Sequence, residues 1–283
     1  WGSTQGPIQE AVDRARAVGA YEGALRAIVH ALKYEGRRSL ALPLATLMRE
    51  RGADLIAFPE TVAEVRAEGS AGQLAEPIDG PTAQRFAAMA ARHHAWILAG
   101  TIALRIPRSR KRHNASILFT ADGSVAAVYR KMHLFDVAIP GRAVFRESSL
   151  VAAGDTPVVA STPLGVLGLS VCYDLRFPEL YRQLAMAGAT VLFVPSAFTA
   201  YTGRAHWTAL LRARAIENLA YVVAPAQWGL HHAGRRSYGH TSVIDPWGRV
   251  IAERESGTGV VLARIDLTRV ARLRRELPVL THV

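Results

Sequence analysis

Short apolar runs alternate with longer amphipathic stretches from about residue 40 to the end of the chain. Leu40 to Arg51 has helical spacing, and Leu55 to Phe58 is a short apolar strand. Thr82 to His94 predicts a helix, followed by a strand from Trp96 to Leu104. Ala115 to Thr120 and Val125 to Arg130 flank Ala121-Asp-Gly123, which predicts a hairpin. Leu164 to Val171 is a strand that runs toward a helix from Pro178 to Ala187. Val191 to Val194, Tyr221 to Ala224, Ser242 to Ile244 and Gly259 to Ile265 are further strands, and His206 to Ile216 is a helix. This mixture predicts an α/β fold, a mixed sheet with outer helices. No internal repeat is visible, and Gly69-Ser-Ala-Gly72 has the composition of a loop.

Composition narrows the class. The chain has 283 residues, of which 50% are apolar, enough for one large core or two small ones. Charges or prolines interrupt every apolar run before it reaches membrane-spanning length, and Trp1 to Arg16 has no signal-peptide apolar region. One cysteine cannot form an internal disulfide, which fits a reducing, cytoplasmic setting. The net charge of +11 raises the question of nucleic acid, but the densest basic cluster, Arg105 to His113, is not interleaved with aromatic residues. It reads as a solvated loop between two strands, and the basic surface suits a small anionic substrate better than nucleic acid. Neither a Cys-x-x-Cys pair nor a His-Glu-x-x-His motif occurs, so no metal is expected. The phosphate-cradling Gly-x-x-x-x-Gly-Lys-Ser/Thr loop and the Gly-x-Ser-x-Gly elbow are also missing.

The candidate chemistry lies at three strand ends. Cys172, the only cysteine, ends the run Val166 to Val171 just before a helical stretch. Helix N-terminal amides at such a place favour a thiolate. Glu60 follows Ala53-Asp-Leu-Ile-Ala-Phe-Pro59, where an open sheet presents its ligand crevice. Lys131 ends the strand in Val128-Tyr-Arg-Lys-Met-His-Leu-Phe-Asp136. Each alone reads as a core thiol, a solvated carboxylate or a solvated amine. Together they supply a nucleophile, a general base, and a cation that stabilises an oxyanion and lowers the thiol pKa. Such a set would attack a carboxamide carbon at Cys172 and hold the oxyanion on Lys131 and the Tyr173 N–H. Ammonia would leave with a proton from Glu60, which would then activate water against the thioester. That sequence needs no cofactor.

With Phe58-Pro-Glu60, Tyr129-Arg-Lys-Met-His-Leu-Phe-Asp136 and Val171-Cys-Tyr-Asp-Leu-Arg-Phe-Pro-Glu-Leu180, the chain resembles the nitrilase, or carbon–nitrogen hydrolase, superfamily from Gly52 to about Leu277. Further matches narrow the resemblance: Phe145-Arg-Glu-Ser148, Pro195-Ser-Ala-Phe198, Leu211-Arg-Ala-Arg-Ala-Ile-Glu-Asn218, Arg235-Arg-Ser-Tyr-Gly-His240 and Asp245-Pro-Trp-Gly248. They are similar to the branch whose members act as deaminated glutathione amidases. The resemblance implies a four-layer α-β-β-α sandwich and a homodimer or larger homo-oligomer. It also implies Glu60 as base, Lys131 as oxyanion cation, Cys172 as nucleophile and Glu147 as a second, positioning glutamate. Other substrates open to the same chemistry are ω-amides and N-carbamoyl amino acids. A third reading is a nitrilase-fold binding protein with impaired catalysis.

The N-terminus departs from that pattern. Residues 1–39 read as an atypical helical segment before a hydrolase domain over 40–283, with the family's opening strand missing or replaced. Ala20 to Arg38, within a stretch of about residues 19 to 52, is instead similar to the N-terminal region of ComF-type phosphoribosyltransferases, without their acidic pair or phosphate loop. A fusion of gene fragments would explain this. The opening on Trp1 fits a trimmed chain, and the end soon after Leu280 fits a shortened C-terminal tail.

Overall fold

The computed structural model describes residues 25–31 (as backbone), 52–62, 75–138, 144–231 and 235–282. Two six-stranded sheets form the body. The first has the order β16-β1-β2-β3-β4-β5, built from β1 (Leu25–Ala31), β2 (Leu55–Ala57), β3 (Trp96–Arg105), β4 (Arg112–Phe119), β5 (Val125–Arg130) and β16 (Gly259–Ile265). The second has the order β15-β14-β11-β10-β9-β8. Its strands are β8 (Val158–Thr162), β9 (Gly165–Leu169), β10 (Val191–Phe193), β11 (Tyr221–Ala224), β14 (Thr241–Ile244) and β15 (Val250–Arg254). Two small ribbons, β6 (Asp136–Ala138) with β7 (Val144–Arg146) and β12 (Trp228–Leu230) with β13 (Arg236–Tyr238), lie outside them.

Strand periodicity produces the layers. Leu55 and Ala57 face the second sheet and share a core with Leu98, Leu118, Leu167, Leu169, Val191 and Phe193. Their alternates Ile56 and Phe58 face the other way, with Ile97, Ala99, Ile117 and Phe119, onto Phe86, Met89 and Ala90 of α1 (Pro81–His93). A period of two places successive residues on opposite faces, so both faces of the first sheet are buried. The second sheet is covered on its outer face by α2 (Pro178–Met186), α3 (Ala200–Asn218) and α4 (Leu267–Glu276). These helices add Leu180, Tyr181, Leu184, Trp207, Leu211 and Val270 to the same core cluster, from the outer side of the second sheet. The result is the expected four-layer α-β-β-α sandwich.

The N-terminal expectation needs correction. Leu25–Ala31 is a strand, not a helix, and it occupies the place where an opening strand was thought to be missing. It pairs antiparallel with β16 over seven positions, from Leu25 opposite Ile265 to Ala31 opposite Gly259. It also runs parallel to β2, Ala27 to Val29 opposite Leu55 to Ala57. Two ready-made strand edges offer the backbone ladder bonds on both sides, and this outweighs the helical preference of an alanine-rich stretch. The helix expected over Leu40 to Arg51 and the loop at 69–72 lie outside the described residues. The basic cluster is also not wholly loop: Arg105 ends β3, while Arg112 and His113 begin β4. Among the described residues, no helix is long and apolar enough to cross a membrane.

Candidate active site

The strand ends converge. Glu60 lies three residues beyond β2 and is buried. Its loop lies hard against β3: a Cβ added at Gly100 would sit 1.9 Å from the Pro59 carbonyl oxygen, so only glycine permits the approach. Thr61, at φ 54, donates its N–H to Thr101 Oγ1 at 2.7 Å. Gln227 Nε2 donates to the Glu60 carbonyl oxygen at 3.1 Å. These bonds fix the backbone that carries the carboxylate.

Lys131 follows β5, and its buried ammonium bridges two carboxylates. It donates to Glu60 Oε1 at 3.1 Å and to Glu147 Oε2 at 2.8 Å. Glu147 begins a short 3-10 turn, Glu147–Ser149, and also accepts the Phe135 N–H at Oε2 at 2.7 Å. Asn114, on β4, donates to Glu60 Oε1 at 2.9 Å and to Glu147 Oε1 at 3.3 Å. The other oxygen of Glu60, Oε2, accepts the Ala197 N–H at 2.9 Å. Three donors on three different segments therefore hold one carboxylate.

Cys172 opens a 3-10 helix, Cys172–Arg176, directly after the extended Val171. Its φ of 51 is a left-handed conformation rarely adopted by a side-chain-bearing residue, and such strain persists only when the surroundings enforce it. Here the Cys172 N–H is held by the Pro195 carbonyl at 3.0 Å, and the Val171 N–H by Asp174 Oδ2 at 2.8 Å. Asp174, fully buried, also accepts the Tyr129 hydroxyl at 2.7 Å, the His133 N–H at 3.0 Å and His133 Nδ1 at 2.7 Å. One carboxylate thus ties the Cys172 turn to the segment that carries Lys131.

Electrostatics set the resting state. Burial pushes Glu60 upward, but Lys131, a hydrogen bond from the Cys172 thiol, the Ala197 N–H and Arg235 outweigh it and hold the carboxyl below its ordinary value. Burial pulls Lys131 down, but Glu147 and Glu60 together leave it raised and fully protonated. Burial and then the Glu60 charge push the Cys172 thiol up, more than Lys131 pulls it down. The expectation of a resting thiolate is therefore corrected: the helix is a single 3-10 turn, and the neighbouring carboxylate dominates. The site rests as thiol, carboxylate and ammonium. This is the state from which Glu60 can accept the thiol proton as the sulfur attacks.

These shifts carry a stability consequence. A thiol whose folded pKa is raised stays neutral in the native state while the unfolded chain ionises above about 9.0. The unfolded state then binds fewer protons, so stability falls as pH rises from there toward the folded value. Raised Tyr129 and Tyr181 add the same sign above 10.0. The thermal midpoint is expected to decline above pH 9, and Cys172→Ala should make the first part of that decline shallower. An identical slope in the variant would contradict the raised thiol.

The sequence-predicted residues Glu60, Lys131, Cys172 and Glu147 are thus brought together. Tyr173 occupies the second position of the 3-10 turn, where a backbone N–H has no partner within its own helix. Its ring meets Phe135 and Phe177 at centroid distances of 5.1 Å and 5.6 Å. Sequence reasoning missed Asn114 and the Ala197 N–H. The signal for Asn114 was an amide in a β-strand, a disfavoured place; a backbone N–H gives none. For a metal, the grouping among the described residues is His240, Glu253 and Glu255, whose ligand atoms lie within 4.8 Å of one another. It sits on the partly exposed β14–β15 edge, apart from the Glu60 cluster, with His240 and Glu253 already paired at 3.2 Å.

Comparison with known proteins agrees with this geometry. The carbon-nitrogen hydrolase family model matches residues 13–275. The chain is 43% identical over 242 residues to a deaminated glutathione amidase of Synechocystis, covering 84% of this chain and 89% of that protein. It is 46% identical over 248 residues to the Homo sapiens deaminated glutathione amidase, covering 84% of this chain and 75% of that one. In fold it is similar to the crystal structure of the C. elegans NitFhit protein, at a TM-score of 0.84 and 34% identity, over 93% of this chain and 66% of that one. Two packed sheets with helices outside, and a buried cysteine, lysine and glutamate with a second, part-buried glutamate between the strand ends, thus accompany a family match over most of the length: the chain belongs to the carbon–nitrogen hydrolase family.

Proposed function

We propose that the protein hydrolyses the amide bond of deaminated glutathione through a thioester on Cys172. The observation that carries this reading is the convergence of these groups: Lys131 bridges Glu60 to Glu147, and Cys172 lies close enough to Glu60 for the carboxylate charge to push its thiol up. Cys172 Sγ attacks the amide carbonyl carbon while Glu60 takes the thiol proton. The carbonyl oxygen becomes an oxyanion beside Lys131 Nζ and the Tyr173 N–H. The C–N bond then breaks, and the nitrogen leaves with the proton held by Glu60. Water attacks the thioester, gives its proton to Glu60, and the acid departs as the thiol is restored. Glu147 and Asn114 keep Lys131 and Glu60 in place throughout. In this scheme no cofactor enters the reaction, and residues 19–52 contribute no phosphoribosyl chemistry.

The leaving group depends on the amide. A primary amide releases ammonia, as expected from the sequence. In deaminated glutathione the amide nitrogen belongs to the cysteinylglycine portion, so that substrate releases an amine instead. The substrate assignment draws on the 43% and 46% identity to deaminated glutathione amidases. It is tested by measuring kcat/KM for deaminated glutathione, α-ketoglutaramate and N-carbamoyl amino acids side by side. Deaminated glutathione is expected to lead by at least about tenfold, a 1.4 kcal/mol preference in transition-state binding; a lead by either competitor would overturn the assignment.

A homodimer or larger homo-oligomer is part of the same proposal. Met186 of α2 and Tyr201 and Ile216 of α3 are 55%, 54% and 48% exposed, apolar side chains on the outer helical layer that a second copy could cover. Light scattering is expected to give at least twice the mass of one chain; a monomer would contradict it. A reducing compartment such as the cytoplasm suits the free thiol of Cys172.

A further inference from the structure

Two arginines border the site without a salt bridge to a carboxylate among the described residues, Arg176 and Arg235. Arg176 is already engaged: its Nη1 meets His206 Nδ1 at 3.2 Å, and its guanidinium lies 5.1 Å from the Phe198 ring centroid and 5.7 Å from that of Tyr173. Arg235 is not. Its guanidinium lies 5.8 Å from the Phe145 ring centroid. Among the described residues its guanidinium makes one hydrogen bond, a long contact of 3.4 Å from Nη2 to the Ala197 carbonyl oxygen. Its Nε is buried with no partner.

The position is specific. Ala197 is the residue whose N–H holds Glu60 Oε2, so its peptide unit lies between Arg235 and the general base. Phe145 beneath it continues to Phe135 at 5.0 Å and from there to Tyr173 at 5.1 Å, an aromatic wall leading to the Cys172 turn. A guanidinium with a buried, unsatisfied N–H beside such a wall offers a planar fork for a carboxylate or phosphate. In a site whose nucleophile attacks carbonyl carbon, the ligand that would complete it is a carboxylate of the substrate itself.

We propose that Arg235 is a specificity-determining residue that pairs with a carboxylate carried by the amide substrate. The proposal rests on the reading that Cys172 and Glu60 cleave amides, but not on which amide is preferred. A matched pair tests it: glutaramate, with one amide and one carboxylate, against glutaramide, with two amides and no charge. Deaminated glutathione, which carries carboxylates at both ends, is the second anionic probe. Wild type is expected to favour the anionic probes through KM. Arg235→Gln is expected to cut that preference by about 10- to 100-fold, the magnitude of a lost charged hydrogen bond, and Arg235→Lys by less, since it keeps the charge but not the fork. Loss on both anionic probes places the carboxylate on the acyl side; loss on deaminated glutathione alone places it on the leaving-group side.

Binding is read separately from turnover by protection of Cys172 from iodoacetamide, followed by intact mass, since the chain has one cysteine. Protection by the anionic probe whose turnover suffers should weaken in Arg235→Gln and be partly restored in Arg235→Lys. Failure of the deaminated glutathione assignment with a retained loss of glutaramate preference would leave this inference standing. An unchanged preference in both variants, or no protection of wild type by either anionic probe, would overturn it.

Discussion

Cys172→Ala is expected to lower kcat by about 10^5-fold or more, the scale on which nucleophile removal abolishes covalent catalysis. The side chain removed is the only thiol in the chain, and it sits on a backbone held left-handed by the Pro195 carbonyl and the Asp174 carboxylate. Neither anchor involves the sulfur, so alanine should adopt the same turn and the variant should fold. The variant removes the thiol beside Glu60, whose carboxylate retains its bonds from Lys131, Asn114 and Ala197. Unchanged circular dichroism with no measurable hydrolysis is the predicted outcome. Turnover within about tenfold of wild type would remove the thioester from the account.

Glu60→Gln is the second large effect, about 10^3-fold or more in kcat/KM, within the range for a positioned general base that serves both half-reactions. The substitution conserves shape but not hydrogen-bond sense. Oε1 accepts from Lys131 and Asn114, and Oε2 accepts from Ala197 N–H. A glutamine must turn its NH2 toward one of these donors, so it loses proton acceptance and also meets a donor with a donor. A fall in stability of about 1–3 kcal/mol should accompany the lost activity, the usual result of leaving a buried donor unsatisfied. Denaturant unfolding and steady-state kinetics on one preparation check both. Activity close to wild type would assign proton transfer to another group.

The proposed catalytic positions were legible because each lies where a strongly apolar strand stops. Leu55–Ala57 delivers Glu60, Val125–Arg130 delivers Lys131, and Gly165–Leu169 delivers Cys172. Their convergence came from the superfamily resemblance; no local pattern states that three strand ends from two sheets meet. Glu147 was reached only through that resemblance, since it sits in a short polar 3-10 turn with no periodicity of its own. Leu25–Ala31 was misread because alanine and leucine favour helix in isolation, whereas strand formation there depends on edges supplied by residues 55–57 and 259–265. The resting thiol was misjudged for a related reason. Helix-terminal amides can be guessed from sequence, but burial and a carboxylate contributed from 112 residues earlier cannot.

The central claim is a covalent acyl group on Cys172, and one measurement tests it most directly. Wild-type protein is mixed with deaminated glutathione, quenched in acid within the first turnover, and examined by intact mass and peptide mapping. The account predicts a transient adduct with the mass of the acyl portion, confined to the peptide containing Cys172 and lost as turnover ends. Hydrolysis that proceeds with Cys172 unmodified at every quench time, under conditions where a synthetic thioester on the same protein survives the acid, would contradict it.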